Sequence, residues 1–459
     1  MITNDPVSTP LNWELQLRLT ASERAAEFLR DFGQNYATPA VTKASELHGS
    51  YLSGELTPEL AKEHLVAAPE EFDQVWGIVT DFPVVYDYLQ QNARVLEPEQ
   101  NKWATEAHIN DTDSLLGLGE NINLETILIQ SVHDLAIMDV YDGMSETAYD
   151  AIVRSESVFA PLCEIIGIDG LAMALRSKAE CIRLRNSGKE HFVSESERTA
   201  LTYQNTKGEF GEIFHHHATG ILRAIIGGYT LEPILGTDSK HGIVIEEGYS
   251  DEKSLRIIAR LKSIGARAGK LERSAATNDG IMEPNIDDIG ITLISQDDEH
   301  LAKSYVEAAQ AMLASEQITP WPSSSRDEAF HIGGSQAFID TMRDSLTLAF
   351  PDSIQLFQFA PNDSGFHVAK MTGYYESDMG CAPFEVQLLT QEGRKDSRVG
   401  RAAHIFYKIM RKLGHRYTPG QSEIDRLAAL NARKAHLGTD GLCPSSQERL
   451  VAFVQELNA

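Results

Sequence analysis

The stretch Pro383-Phe384-Glu385-Val386-Gln387-Leu388-Leu389-Thr390 alternates apolar and polar residues, the period of a β-strand with one buried face. Glu385 and Gln387 then point the same way, away from the apolar side. An acid beside an amide on one strand face suits a site that holds a metal ion or a hydroxyl group. A solvated stripe on an antiparallel sheet has the same pattern, and spacing alone favours that plainer reading.

Working outward, short β-rich runs fall at 241–246, 286–295, 354–360 and 366–375, with helical patterns between them at 300–314 and 335–350. Earlier residues read differently. Segments 22–32, 124–138, 148–166 and 171–184 carry apolar residues at helical spacing, and Thr57 starts a further helix with Glu59 and Leu60 in its first turn. The polar stretch 186–190 marks a seam. An all-helical block followed by strands alternating with helices predicts an α+β protein: a helical domain over 1–190 and a mixed-sheet domain flanked by helices over 195–459.

A length of 459 residues suits two domains. No apolar run approaches a membrane span, and Met1 to Trp13 lacks the basic and apolar regions of a signal peptide, so a cytoplasmic protein is expected. Cys163, Cys181, Cys381 and Cys443 are scattered without a CxxC pair, which argues against a disulfide framework and a zinc site.

The net charge is −27, and it is uneven: residues 1–150 hold 26 acidic against 7 basic side chains. So acidic a first third disfavours broad nucleic-acid binding. Two basic clusters stand out later. One holds Lys253, Arg256, Arg260, Lys262, Arg267, Lys270 and Arg273. The other holds Arg394, Lys395, Arg398, Arg401, Lys408, Arg411, Lys412 and Arg416. In an acidic chain, clusters that flank strand-like segments point to a confined polyphosphate site.

With Ala402-Ala403-His404-Ile405-Phe406-Tyr407-Lys408 after it, the opening strand resembles the end of the synthetase domain in the RelA/SpoT homologue family, whose members make the alarmone (p)ppGpp. Further segments follow in the family's order. Ser157 to Leu162, with Ile166-Gly167-Ile168, resembles its helical junction. Arg260-Leu261-Lys262-Ser263 with Lys270 resembles the motif that grips the ATP phosphates. Ile286-Asp287-Asp288-Ile289-Gly290-Ile291 resembles the strand whose leading aspartate binds Mg²⁺. Ser364-Gly365-Phe366-His367 resembles the motif whose aromatic ring stacks on guanine.

The resemblance implies a helical hydrolase-like (HD-like) domain, then a nucleotidyltransferase-like sheet domain. It implies ATP held by Arg260, Lys262 and Lys270, Mg²⁺ held by Asp287 and Glu385, and acceptor GDP or GTP held by Phe366, Lys370, Gln387 and His404. Asp287 and Glu385 would be the catalytic pair. Phosphoryl-type transfer asks for positioning and charge neutralisation, which these residue types supply. Singly, each has a plainer account: Asp287 as a strand-end cap, Phe366 as core, Arg260 as an ion-pair partner.

The departures touch phosphate contacts: Thr292, Lys370, Ala266 and Gly269 stand where the family usually has Arg, His, Ser and Arg. Weak activity, pure nucleotide or alarmone binding, and another acceptor (ATP or tRNA) therefore stay open beside pyrophosphokinase action. The family's hydrolase needs a metal cage of an early His, a His-Asp pair and a late Asp. Here His133 of His133-Asp134 falls at the place of the late Asp, and His108 has no His-Asp pair beside it, so the helical domain is expected to be degenerate. His215-His216-His217 makes a poor metal site, since successive helical residues diverge by roughly 100°. No ribosome-binding module is expected after Lys412, and self-association is left open.

Overall fold

A computed structural model describes residues 10–32, 36–52, 54–92, 104–141, 146–205, 210–233, 243–277, 287–321, 328–361, 366–400, 403, 406, 419–437 and 442–458. The chain forms two compact units, 1–182 with 429–459, and 183–428.

The first unit is helical. Pro10, Pro39, Pro58 and Pro69 each open a helix, where the missing N–H costs no intrahelical bond. The Thr57 hydroxyl caps Pro58–Ala67 by accepting the Leu60 N–H at 3.3 Å. Leu124–Tyr141 is buried on every side over most of its length, which explains why it is apolar all round rather than amphipathic. The run 146–166 contains a π-helical turn, Ser155–Phe159, and ends at Gly167, whose φ of 78° only glycine adopts readily.

The chain boundary differs from the expected one. It falls at 182/183, inside the helix Asp169–Asn186, and the closing residues return to the helical unit instead of completing the sheet unit. Specific contacts hold them there. Arg449 pairs with the fully buried Asp81 at 2.6 Å, the Arg433 guanidinium donates to the Gly119 and Ile122 carbonyls, and Phe453 stacks on Trp76 at 5.3 Å.

The second unit carries one mixed sheet. Its strands are β1 (Thr230–Pro233), β2 (Ile245–Ser250), β3 (Leu255–Leu261), β4 (Ile289–Ser295), β5 (Ile318–Pro320), β6 (Phe330–Gly334), β7 (Phe357–Pro361), β8 (Val368–Ser377) and β9 (Gly380–Thr390). The order is β1-β2-β3-β4-β9-β8-β6-β7, with β5 also on β8. Pairs β4/β9 and β6/β7 are parallel and the rest antiparallel. Alternation sets two faces. Leu255, Ile257, Ile291, Val386, Met371 and Ile332 face the core, against helices Gly211–Ile225, Asp298–Ala314 and Gln336–Ala349. The other face is polar and part-exposed. An α+β protein with one helix-flanked mixed sheet is therefore present. Sequence periodicity missed β1, β3, β5 and β6; the basic residues of β3 had masked its alternation. Among the described residues no helix is long and apolar enough to cross a membrane.

Candidate functional site

The polar face acquires its chemistry from register. Arg260 of β3 stands opposite Gly290 of β4, and Gly290 opposite Glu385 of β9. Two residues along, Thr292, Gln387, Lys370, His331 and Gln358 form a second row across β4, β9, β8, β6 and β7. Gly290 matters because it has no side chain. A Cβ there would stand 3.3 Å from the Arg260 Nε, so the arginine lies over bare backbone on its way toward the Glu385 strand.

The turn before β4 supplies a second acid. The Lys262 N–H donates to the Asp288 carbonyl at 2.7 Å, tying the end of β3 to the start of β4. Helix Ile264–Thr277 then presents Arg267 and Lys270, three apart and so on one face, to consecutive carboxylates. Arg267 and Asp288 pair at 2.7 Å with both side chains buried, and the guanidinium also donates to the Ser196 and Lys262 carbonyls at 3.3 Å. Burial pushes the Asp288 carboxyl up even beside Arg267.

Asp287 stays part-exposed. It gives Oδ2 to Lys262 and Oδ1 to Lys270, each at 2.6 Å. Burial alone would raise its carboxyl, but the two ammonium groups outweigh that and hold it well below the usual carboxylate range. Burial, then Asp287 and Lys270, act on Lys262, and its ammonium comes out lowered.

Glu385 sits in a matching arrangement. The Gln387 amide donates to its Oε1, and the Lys370 Nζ lies 3.6 Å from the same oxygen. Thr372, opposite Glu385, is buried and donates to the Trp321 carbonyl at 2.6 Å, so the row ends there. The structure thus groups Lys262, Lys270 and Asp287 at one end of β4, and Glu385, Gln387 and Lys370 on the adjoining strands. Arg260 lies on the strand between these groups and the sheet edge. Phe366 is part-exposed just ahead of β8. His404 and the basic residues Arg401, Lys408, Arg411, Lys412 and Arg416 lie outside the described residues.

Most of the first basic cluster is paired at home: Lys253 with Glu307, and Arg256 with Glu247 at 2.8 Å. The three histidines diverge as expected, His215 to Glu246 at 2.9 Å, His216 to Asp378 at 3.2 Å, and His217 into the interior. In the helical unit, Asp134 is taken by Arg154 at 2.7 Å, and the buried His133 packs against His48 with ring centroids 4.2 Å apart. Among the described residues no three His, Cys, Asp or Glu side chains gather to hold a metal.

Sequence reasoning missed the Arg267–Asp288 pair and the His331–Gln358 contact at 3.1 Å that extends the second row. The alternation of Phe330, His331 and Ile332 was the available signal for the latter. No protein-family model matches the chain, and no curated protein matches it.

Proposed function

We propose that the sheet unit is a Mg²⁺-dependent pyrophosphokinase. The 3′-hydroxyl of GDP or GTP attacks the β-phosphorus of ATP, the bond from that phosphorus to the α-phosphate oxygen breaks, and AMP leaves. The observation that carries this reading is the pair of lysine-held carboxylates, Asp287 in the turn that leads into β4 and Glu385 on the neighbouring parallel strand β9, with Arg260 on β3.

The donor set suits the ion. Mg²⁺ binds through one or two protein carboxylates and completes its shell with phosphate oxygens and water. Asp287 is part-exposed and ionised, so it and Glu385 would hold the ion, which would neutralise charge developing on the triphosphate. Arriving phosphates would take Lys262 and Lys270 from Asp287, so the same contacts that stabilise the empty carboxylate become phosphate ligands. Arg260, exposed above Gly290, adds a fixed positive fork for the triphosphate. Glu385 either completes the metal shell or takes the proton from the attacking hydroxyl. Gln387 and Lys370 set its orientation, and Phe366 offers a flat surface to guanine.

In this proposal the sheet is nucleotidyltransferase-like, and the helical unit is a degenerate HD-like domain without hydrolysis. Asp134 is committed to Arg154, and His133 is buried, with burial lowering its imidazole pKa to about 4. The decisive experiment incubates the protein with labelled ATP, Mg²⁺ and GDP, GTP or ATP in turn. AMP formed with a guanine acceptor supports the reading. Nucleotide binding without AMP would replace it with a nucleotide-binding regulatory role.

A further inference from the structure

At the end of the sheet where β6 stops, three side chains from separate elements meet. His367, just ahead of β8, places Nδ1 3.1 Å from both carboxylate oxygens of Asp298 and Nε2 3.0 Å from the Ser335 hydroxyl. Asp298 begins the helix Asp298–Ala314, and Ser335 joins β6 to the helix Gln336–Ala349.

The hydrogen-bond logic assigns the protons. A carboxylate can only accept, so Nδ1–H donates to Asp298, and in the neutral imidazole the Nε2 lone pair is left to accept the Ser335 O–H. The Ser335 oxygen accepts the Phe338 N–H at 3.3 Å, which fixes its remaining direction. The imidazole is locked by packing as well, since the Phe338 ring stacks on it at 4.3 Å and 8°. Gly334 makes room: a Cβ there would meet the Phe338 ring at 2.5 Å and the His367 ring at 3.0 Å.

A helix cap needs only the serine. A histidine turned toward that serine by a bidentate carboxylate goes beyond capping, and it is the nucleophile, base and orienting acid of acyl-transfer chemistry. We propose that Ser335, His367 and Asp298 form a second catalytic site, acting on esters of small carboxylic acids.

The Ser335 oxygen attacks the ester carbonyl carbon while its proton passes to His367 Nε2. The backbone N–H groups of Gln336 and Ala337, in the first turn of the helix and without intrahelical carbonyl partners, would be the donors available to the developing oxyanion. The carbon–alkoxy bond then breaks, and the alcohol leaves with the proton from Nε2. Water, deprotonated in turn by His367, releases the acid and restores the serine. Asp298 holds the tautomer throughout. Ser335 and His367 are both part-exposed, so the cluster reaches the surface of its unit.

The test uses the full-length protein with a fluorophosphonate probe and p-nitrophenyl acetate, and peptide mass mapping locates any adduct. A phosphonyl adduct on Ser335 is expected, together with ester turnover that falls roughly 100-fold or more in His367→Gln and Asp298→Asn while melting is unchanged. Folded wild-type protein that carries no adduct on Ser335 overturns the proposal. So does equal labelling of Ser335 in His367→Gln, which would make the hydroxyl merely exposed. Because neither readout involves ATP or AMP, both outcomes are independent of pyrophosphoryl transfer.

Discussion

Arg260 crosses Gly290, with its Nε only 3.3 Å from where a methyl group at Gly290 would stand. Gly290→Ala should therefore displace the guanidinium without unfolding β4, since alanine is acceptable in a strand. The KM for ATP should rise about tenfold, equivalent to about 1.4 kcal/mol of lost binding. Arg260→Ala should do the same, and the double variant should add little to either. Steady-state kinetics on the three variants would reveal additive effects, and additivity would show that the two residues do not act together.

Removing the Asp287 charge should split binding from turnover. Asp287→Asn should lower AMP formation by two orders of magnitude or more. It should also release Lys262 and Lys270, so that ATP binds more tightly in EDTA than it does to the wild type. Calorimetric titration with and without Mg²⁺ measures both arms. Weaker Mg²⁺-free binding in the variant would show that the lysines do not reach the phosphates. Glu385→Gln should lower turnover similarly without the gain in Mg²⁺-free affinity.

The buried Arg267–Asp288 pair should be costly to break from one side. Arg267→Met leaves an uncompensated carboxylate and should destabilise the sheet unit by about 3–5 kcal/mol. Arg267→Met combined with Asp288→Leu should recover more than half of that loss. Urea unfolding followed by hydrogen exchange in β3 and β4 would check the pattern.

Acid should weaken the helical unit. Burial lowers the His133 pKa to about 4, and burial together with neighbouring His133 lowers His48 well below its ordinary value. Both histidines bind protons more readily when unfolded, where their pKa is near 6.5. Their contribution to stability is therefore present above pH 6.5 and is lost as pH falls from about 6.5 toward 4. The slope should be about 1.4 kcal/mol per pH unit for each site. Hydrogen exchange over 124–141 should show this slope, and His133→Gln should flatten it.

Phe366→Ala should raise the acceptor KM by roughly one to two orders of magnitude, the equivalent of about 1–3 kcal/mol of base stacking, while the KM for ATP changes little. If Phe366 serves only packing, the variant would instead melt several degrees lower and weaken both nucleotides alike.

How much of this was legible depended on whether a residue's role was local. The alternation around Glu385 and Gln387 is local, and it gave β9 and its polar face directly. Helix 124–141 was also legible, because its apolar residues recur within one segment. β3 was not: Arg256 and Arg260 read as a charge cluster until pairing with β4 put them on the open face. The Arg267–Asp288 and Arg449–Asp81 pairs join positions far apart in sequence, and a lone charged residue carries no sign of its distant partner. Ser335, His367 and Asp298 come together for the same reason only after three elements have packed.

The return of residues 429–459 to the helical unit has a consequence for synthesis. That unit is discontinuous, and Asp81 has no arginine partner from Arg449 until the last helix has left the ribosome. The sheet unit lies wholly between the two parts, so its strands are all available earlier. An order of events follows in which the middle of the chain reaches its final form before its beginning does. Nascent chains stalled shortly after residue 428 should resist protease in the sheet unit and remain cleavable in the first 180 residues or so.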